Sequence, residues 1–464
     1  MRGLALFLVA SSCWGGAPDR RQQAIHAARE FSESHLFTSG RGIHLPAGLI
    51  SYYERAQSTR LRPHLIGVGG FLTGVNLEDR SPVGLLEARY QDLRVGVLGC
   101  VVCHSGRAAG RLVIGLGNKR IDTAATGRLT EWLSLPYLWT ISFRPDPERR
   151  LIEQTMAFAR VLQNPRWANV TEGQVPFGVI QRWFYEQAGR PMPLGMPAAG
   201  VKAPHLWGYG EKRKAGLFCD GLGDGAEPGW AAMVELAAGQ MPETVRSYRS
   251  RLDHVEELIE KLLPPVYPFA IDAELAWRGQ AVYQRECSRC HGGYHKDLQG
   301  LPVFQAPRWI DWNLVQTDPY RLESLTPEFR SLVASNTLSD LIRGRAMPPG
   351  YFAPRLEGVW SRFPYLHNAS TPSLRALLTP PDRRPYVFSL LDAGERHRFD
   401  PVTVGLTIPE PDGVEHFGLR RLAAWGARHV FDVRRPGHSN RGHAFGLDLT
   451  ETQRTNLIEY LKTL

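Results

Sequence analysis

Two short stretches decide the fold: GCVVCHSG at residues 99–106 and ECSRCHGG at residues 286–293. In each, two cysteines stand three positions apart and a histidine directly follows the second, which is the spacing typical of c-type haem attachment. The thiols would add to the vinyl groups of a haem, and the imidazole would coordinate its iron. The residues between the cysteines are unlike, so the spacing is the common feature. The sequence therefore predicts two covalently bound haem c groups, held by Cys100, Cys103 and His104 and by Cys287, Cys290 and His291.

Three other uses of paired cysteines explain the pattern less well. A structural zinc site built from two Cys-x-x-Cys pairs does not require a histidine after each pair. A thioredoxin-like redox pair is expected beside a βαβ pattern, which the flanking residues do not supply. Disulfides are disfavoured because the six cysteines comprise these four and two that lie far apart, Cys13 and Cys219.

The second stretch lies beside a predicted pair of crossing helices. Upstream, Leu275, Gly279 and Tyr283 recur at four-residue steps, which places them on one face of a helix. At the chain end, a Thr-x-x-Gln capping box at residues 450–453 opens a helix whose apolar stripe includes Tyr460. Gly279 would let the two helices approach closely and Tyr460 would fill the contact. This arrangement is similar to the N- and C-terminal helix pair of class I cytochromes c.

The two haem motifs and the helical patterns, taken with length and composition, lead us to expect a mainly α protein with two cytochrome c-like haem domains and long loops. The chain has 464 residues, which suits two domains, and its 46 Gly and 34 Pro residues favour abundant loops. The predicted divisions are 1–17 as a signal segment, 18–263 as the N-terminal haem domain, 264–273 as a proline-rich linker, and 274–464 as the C-terminal haem domain. Further helices are predicted at 20–34, 148–163 and 242–262. No internal repeat is expected beyond the two haem motifs.

The net charge of +9 does not predict a nucleic-acid partner. The basic residues are spread along the chain, and no binding motif for nucleic acid occurs. Positive charge has nearer uses in this protein, because haem propionates need compensation and anionic redox partners can be steered electrostatically.

The N-terminal stretch MRGLALFLVASSC, residues 1–13, resembles an export signal. One basic residue precedes a short apolar run and a few small residues. The same stretch is similar to a bacterial lipoprotein cleavage site, which would make Cys13 a lipid anchor. We therefore expect an exported bacterial protein that is either periplasmic or lipid-anchored to the membrane. No other apolar run is long enough for a membrane helix.

The segment AMPPGYFAPRLEGVWSRFPYLHNASTPSLRALLTPPDRRPYVF, residues 346–388, resembles diheme enzymes related to bacterial cytochrome c peroxidase, MauG and the rubber oxygenases. The shared elements are Ala-Pro-x-Leu from residue 353 and Pro-Tyr-x-His from residue 364. The rubber oxygenase branch is the one that three further stretches resemble most closely: FDPVTVG at residues 399–405, GHSNRGH at 437–443 and LIEYLKTL at 457–464. The peroxidase branch usually has Arg-Asn where this chain has Glu357-Gly358, and His-Asp-Gly where this chain has His-Asn-Ala from residue 367.

The resemblance implies a division of labour between two haems. The first haem would have an exchangeable or vacant face, whereas the second would be six-coordinate and would store or relay electrons. From its place in GHSNRGH, His443 is the expected distal ligand of the second haem, with Met347 as runner-up. At the first haem, His205 is the alternative to an open face. Trp207 is a candidate electron relay between the haems.

The expected function is that of an oxidoreductase with peroxidase- or oxygenase-type chemistry at the first haem. Its partners would be O2 or H2O2, an unidentified reductant or organic substrate, and a periplasmic electron-transfer protein. Two alternatives stay open. One is a non-catalytic diheme electron-transfer protein in which both irons are six-coordinate, and the other is a haem-based sensor.

A few polar residues have no place in this scheme. Cys219 is expected to be a buried, inert thiol. Asp220 and Asp224 stand among glycines and are compatible with calcium, but an ordinary turn is the prediction. His295 is expected to be a surface residue. The stretch that offers His443 also offers His438 as a candidate sixth ligand of the second haem.

Overall fold

A computed structural model of the 464-residue chain describes residues 18–33, 44–46, 83–90, 93–210, 219–223, 236–237, 241–296, 302–304, 308–336, 340, 342, 344, 347–408, 414–424 and 426–464. The α-helices in these ranges are Pro18–Glu33, Thr123–Leu138, Asp146–Leu162, Gly178–Gln187, Pro242–Ser247, Arg249–Glu260, Ala273–Glu286, Ser288–His291, Trp312–Val315, Tyr320–Glu323, Pro327–Ala334, Leu374–Leu377, Val414–Ala424 and Glu451–Lys462. The strands are His44–Pro46, Leu85–Tyr90, Leu93–Leu98, Ser105–Ala108, Arg111–Ile114, Gln174–Pro176, Gly200–Lys202, Tyr294–Lys296, Pro302–Phe304, Trp309–Asp311, Gly350–Phe352, Val387–Ser389, Phe399–Asp400, Gly405–Leu406 and Val430–Asp432.

Helices dominate the regular structure of these ranges, since the strands are short and form small sheets. The expected mainly α class is therefore confirmed. Of the helices described, none combines the length and the apolar character that crossing a membrane requires.

The helices predicted in the first half of the chain are present with shifted ends. Those expected at 20–34 and 148–163 form at Pro18–Glu33 and Asp146–Leu162. The one expected at 242–262 is broken into two at Tyr248, whose backbone leaves the helical region at φ −117° and ψ 27°. Tyr248 is 5% exposed, so the break places its ring in the core.

The helix Ala273–Glu286, here called the motif helix, packs against the C-terminal helix Glu451–Lys462. A side chain at Gly279 would overlap the carbonyl oxygen of Asn456, so the two backbones touch at this position. The rings of Tyr283 and Tyr460 lie 5.1 Å apart. The predicted crossing, with Gly279 and Tyr460 at the contact, is therefore confirmed.

Local capping interactions fix where these two helices begin. The Asp272 carboxylate accepts the backbone N–H groups of Glu274 and Leu275, each at 3.0 Å, and so caps the motif helix. The capping box between Thr450 and Gln453 is present in both directions, as the sequence predicts.

The described residues form two hydrophobic cores, and each core draws on both sides of the predicted linker at 264–273. The first core is built mainly from residues before the linker, but Phe329 and Val333 also belong to it. The second core is built mainly from residues after the linker, but it also contains Leu116 and Trp207. The division into two domains stays a prediction. Each core contains residues from both sides of the predicted boundary.

Two antiparallel strand pairs, here called the ribbons, have the same design. The first ribbon pairs Gln174–Pro176 with Gly200–Lys202, and the second pairs Trp309–Asp311 with Gly350–Phe352. Each ribbon then bonds to the opposite half of the chain. The Lys202 N–H donates to the His367 carbonyl at 2.9 Å, and the Phe352 N–H donates to the Cys219 carbonyl at 2.9 Å.

The segments that leave the two ribbons repeat one another. Ala-Pro-x-Leu-x-Gly stands at residues 203–208 and again at 353–358. The final glycines, Gly208 and Gly358, both adopt positive φ, at 73° and 64°. Both segments are preceded by Met-Pro, at 196–197 and 347–348. The expectation of no internal repeat beyond the haem motifs is therefore wrong. We call these two segments the proline loops.

Candidate haem sites

The first cysteine pair lies on a single turn of 3-10 helix, Cys100–Val102. The His104 N–H donates to the Cys100 carbonyl at 3.0 Å, which closes the motif into a tight loop. Asn118, which lies beyond the motif in the sequence, stabilises this loop through two hydrogen bonds. Its backbone N–H donates to the Cys103 carbonyl at 2.9 Å, and its side-chain amide donates to the preceding carbonyl at 2.9 Å. The side chains of Cys100, Cys103 and His104 are thus all attached to one short segment of backbone that hydrogen bonds hold in place.

His104 is oriented by a backbone carbonyl from a distant part of the chain. Its Nδ1 lies 3.0 Å from the carbonyl oxygen of Pro204. Since a carbonyl oxygen can only accept, Nδ1 carries the proton and Nε2 keeps its lone pair. Burial lowers the pKa of His104, and this hydrogen bond opposes the shift. The neutral ring therefore presents Nε2 in the form that binds a metal.

The second motif follows directly from the motif helix. Cys287 ends that helix, and the short helix Ser288–His291 carries the rest. The His291 N–H donates to the Cys287 carbonyl at 2.9 Å, and the Tyr283 hydroxyl donates to the Gly292 carbonyl at 2.8 Å. The Nδ1 of His291 lies 2.9 Å from the Pro354 carbonyl oxygen. Burial lowers the pKa of His291 in the same way as that of His104.

The two histidines are thus held alike, by the proline of each proline loop. Sequence reasoning did not find this role for Pro204 and Pro354, although the Ala-Pro-x-Leu pattern around residue 354 was noted. The repeat of that pattern at residue 203 was the missed sign. Metal-ligating histidines commonly donate their second ring N–H to a carbonyl or carboxylate, which fixes the ring and raises its basicity.

His443 faces His291 at a separation that suits a metal between them. The two ring centres lie 6.1 Å apart. Metal–imidazole bonds of about 2 Å on opposite faces of one iron place the ring centres roughly 6 Å apart. In addition, the buried Nδ1 of His443 has no hydrogen-bond partner. Burial, with the nearby His291 and Arg384, lowers the pKa of His443 to about 3, so this ring is also neutral.

The loop that carries His443 is fixed by backbone contacts. His443 adopts a positive φ of 48°, and its N–H donates to the Val315 carbonyl at 2.8 Å. The Arg384 guanidinium donates to the carbonyls of Asn440 and, at 2.9 Å, of Gly442. The ring is therefore placed before any ligand arrives, which reduces the entropy lost on coordination.

The other candidates for the second haem have different surroundings. Met347 packs against Gly221 and Trp309. His438 is 2% exposed and stacks on the Phe431 ring at 4.5 Å. The geometry therefore favours His443 over both, and its role as distal ligand stays a prediction.

His205 lies beside the first histidine on its hydrogen-bonded side. It directly follows Pro204, the residue that accepts from Nδ1 of His104. Its own Nε2 lies 3.0 Å from Nη1 of Arg362. The geometry thus engages His205 with Arg362 and favours a role other than coordination through the far side of the His104 ring.

Trp207 joins the two proline loops. Its indole N–H donates to the Glu357 carbonyl at 2.8 Å, and its ring is 2% exposed. Trp207 stands three residues after Pro204, and Glu357 stands three residues after Pro354. The hydrogen bond therefore connects equivalent positions of the repeat and links the two histidine-holding segments by a short path.

Cys103 and Cys287 do not have the lowered pKa values of reactive or metal-binding thiolates. Burial raises the pKa of Cys103 to about 11 and that of Cys287 to about 12. Thioredoxin-like cysteines have lowered pKa values instead. None of the five cysteines within the described ranges forms a disulfide. In those same ranges, no three His, Cys, Asp or Glu side chains converge as a metal site. The thioether role of the four motif cysteines stays a prediction.

The remaining polar residues have clear surroundings or lie outside the description. Cys219 is exposed, so the expectation of a buried thiol is wrong. Asp220 is buried in an ion pair with Arg321 and accepts the Leu222 N–H at 3.0 Å, which uses its oxygens within the protein. Four predictions fall outside the residues or side chains that the structure describes: the signal segment at 1–17, the lipid anchor at Cys13, the turn at Asp224 and the surface position of His295.

Comparison with known proteins points in the same direction. Residues 350–389, which contain the second proline loop, match a RoxA-like, cytochrome c-like domain family. The chain carries a cytochrome c-like segment. This match supports a cytochrome c family related to the rubber oxygenases, and a cytochrome c-like domain implies covalently bound haem c.

Two curated relatives come from Sinorhizobium fredii (strain NBRC 101917 / NGR234). The uncharacterized protein y4iJ is 28% identical over 355 residues, which cover 59% of this chain and 56% of the relative. The uncharacterized protein y4iM is 29% identical over 285 residues, which cover 50% of this chain and 60% of the relative. The matched part thus spans little more than half the length of either relative.

Proposed function

We propose that this protein is an exported diheme c-type oxidoreductase. The haem at Cys100 and Cys103 carries out peroxidase- or oxygenase-type chemistry, and the haem at Cys287 and Cys290 stores and relays electrons. The observation that carries the proposal is the repeated His–Pro arrangement, in which only the second histidine described faces another imidazole. A c-type haem with one protein ligand has a face for substrate, whereas one with two ligands transfers electrons.

The residues of the chain have separate tasks in this scheme. The four motif cysteines form the thioethers, and Nε2 of His104 and of His291 coordinates iron. The carbonyls of Pro204 and Pro354 hold the Nδ1 protons, which raises the basicity of both rings. When bound, a haem supplies reversible one-electron chemistry and, where a face is open, a site for O2 or peroxide.

Trp207 provides the route between the sites. A second haem in electronic contact with the first lets the protein supply more than one electron to the same reaction. The indole N–H of Trp207 donates to the Glu357 carbonyl at 2.8 Å, and this hydrogen bond would connect the two proline loops on a route between bound haems. The buried position of the ring keeps water out of this path.

The first test counts the haems and assigns each to its motif. The purified holoprotein is expected to hold two haems by pyridine haemochrome analysis. The double substitutions Cys100→Ala with Cys103→Ala, and Cys287→Ala with Cys290→Ala, should each remove one haem. Cys219→Ala is the matched control and should retain both. Fewer than two haems in the unaltered protein would refute the proposal.

Low-temperature electron paramagnetic resonance of the same oxidised sample tests the division of labour. We expect a high-spin signal from the first haem and a low-spin signal from the second. H2O2 turnover with a reductant and O2 uptake with an organic substrate then separate peroxidase from oxygenase chemistry. Two low-spin signals that persist on reduction, with no turnover, would instead support the non-catalytic electron-transfer alternative.

A further inference from the structure

Three cationic side chains surround Phe363 where the two halves of the chain meet. The ammonium group of Lys119 lies 4.6 Å from the centre of the Phe363 ring. Lys202 donates to the carbonyls of the residues on either side of Phe363, Arg362 and, at 2.7 Å, Pro364. Arg362 itself is the third cation. We call Lys119, Lys202 and Arg362 the cationic cluster.

The cluster is buried and lacks an internal anion. Lys119 is 5% exposed and Arg362 is 7% exposed. Among the described residues, none of the three forms an ion pair with a carboxylate. The nearby Glu357 carboxylate is taken by Arg355. The pKa of Lys202 is lowered to about 7 by burial and by the charge of Arg362, which agrees with an uncompensated group of like charges.

The arrangement of the N–H donors of Arg362 indicates what kind of ligand would bind there. Nη1 of Arg362 lies 3.0 Å from Nε2 of His205, but Nε and Nη2 of Arg362 are buried and have no hydrogen-bond partner within the part of the chain that the structure describes. These two N–H groups lie on one edge of the planar guanidinium and point the same way. A carboxylate accepts from such an edge through both oxygens, as two parallel charge-assisted hydrogen bonds. Two unsatisfied donors at a buried charge are costly unless such a ligand is present.

The position of the cluster identifies which carboxylate is nearest. Lys202 lies two residues before Pro204, which holds His104, and Arg362 contacts His205 on the other side of that proline. The cluster therefore lies beside the segment that holds His104. A haem bound at this motif would carry two propionate carboxylates.

We propose that Lys119, Lys202 and Arg362 form the binding site for a haem propionate, with the carboxylate held edge-on by Nε and Nη2 of Arg362. This assignment rests on the proposed function, because it requires a haem in the protein. It adds a role in setting the reduction potential, since a cation beside a propionate makes reduction of the iron easier.

The test uses the holoprotein and the substitution Arg362→Gln. Spectroelectrochemical titration should show a lower midpoint potential for at least one haem, about tenfold in the equilibrium constant of reduction, or about 59 mV for one electron. The propionate bending bands of the resonance Raman spectrum should shift with it. Arg362→Lys keeps the charge but not the paired donors, so it should restore the potential more than the Raman bands. Arg278→Gln removes an exposed arginine paired with Glu274 and is the matched control.

The result separates this inference from the function on which it rests. Haem content is measured first, and a wild-type protein with fewer than two haems refutes the proposed function. With two haems present, unchanged potentials and Raman bands in Arg362→Gln overturn the propionate site alone. A free small carboxylate is the other source of the same chemistry. If sodium acetate shifts the wild-type potential in a saturable way that Arg362→Gln abolishes, the site binds a free carboxylate and the propionate assignment is wrong.

Discussion

At the scale of single residues, the two candidate haem sites differ in what faces the histidine among the described residues. His291 has His443 at 6.1 Å between ring centres. His104 and His291 are otherwise held alike, each by a proline carbonyl. The difference in function that we propose therefore depends on one side chain and not on two unlike folds.

Replacement of His443 by alanine tests this dependence. We expect the haem content to stay unchanged while the second haem loses its low-spin signal, because its iron loses a strong-field ligand. Visible absorption and electron paramagnetic resonance on the oxidised protein follow the change. Met347→Leu is the matched control and should keep the wild-type spectrum. A low-spin signal that survives in His443→Ala but disappears in Met347→Leu would reverse the assignment.

Trp207 can be tested without loss of its aromatic ring. Trp207→Phe removes the N–H donor and leaves the Glu357 carbonyl buried without its partner, which costs about 1–3 kcal/mol of unfolding free energy. Electron exchange between the two haems should slow as well. Denaturant unfolding and flash photolysis of the partly reduced protein measure the two effects. Unaltered exchange in a destabilised variant would mean that Trp207 is structural only.

His367 is one buried ring that contributes to acid stability. It stacks on Tyr351 at 5.3 Å between ring centres, and burial, with the charge of Arg321, lowers its pKa to about 4. The folded protein therefore excludes a proton that the unfolded chain binds below about pH 6.5. Stability is complete above that pH and falls as the pH drops towards 4, by up to about 3 kcal/mol.

His367→Gln should flatten this acid loss between pH 7.5 and pH 4.5 in urea unfolding. The exposed His26 serves as the control, since His26→Gln removes an imidazole that is 80% exposed. An equal acid loss in wild type and His367→Gln would show that other groups cause it.

At the scale of elements, the backbones of the motif helix and the C-terminal helix touch at Gly279. Gly279→Ala forces a methyl group against the Asn456 carbonyl, and we expect a loss of about 3 kcal/mol, the upper end for overpacking. Thermal unfolding measures the loss. Gly195→Ala is the control, because no atom lies within 4 Å of an added Cβ there. Similar melting temperatures for the two variants would contradict the predicted clash.

The sequence predicts those elements that are determined by residues close together in the chain. The crossing at Gly279 and the capping box at Thr450 follow from side-chain periodicity and composition. The roles of Pro204 and Pro354 do not, because a backbone carbonyl that accepts a hydrogen bond leaves no side-chain pattern. The ribbons were missed for a related reason, since strands of three residues are too short for alternation to appear.

At the scale of the whole molecule, the two halves depend on each other. Phe329 lies in the first core and Trp207 in the second, so each half lends side chains to the other. We expect residues 1–263 and 264–464 to be largely unfolded when each is produced alone, and their helix content to recover on co-expression. Circular dichroism and limited proteolysis measure this. Two separately stable halves would show that the shared cores contribute little.

The contact between the motif helix and the C-terminal helix also sets an order of assembly. A chain made from its N-terminus produces Ala273–Glu286 well before Glu451–Lys462, so the motif helix has no partner until the later helix has been made. Cys287 and Cys290 stay accessible through that interval, whereas the turn at Cys100 can close much earlier. The machinery that attaches the second haem therefore has a period in which to act, and the number of residues between the two helices sets how long that period lasts.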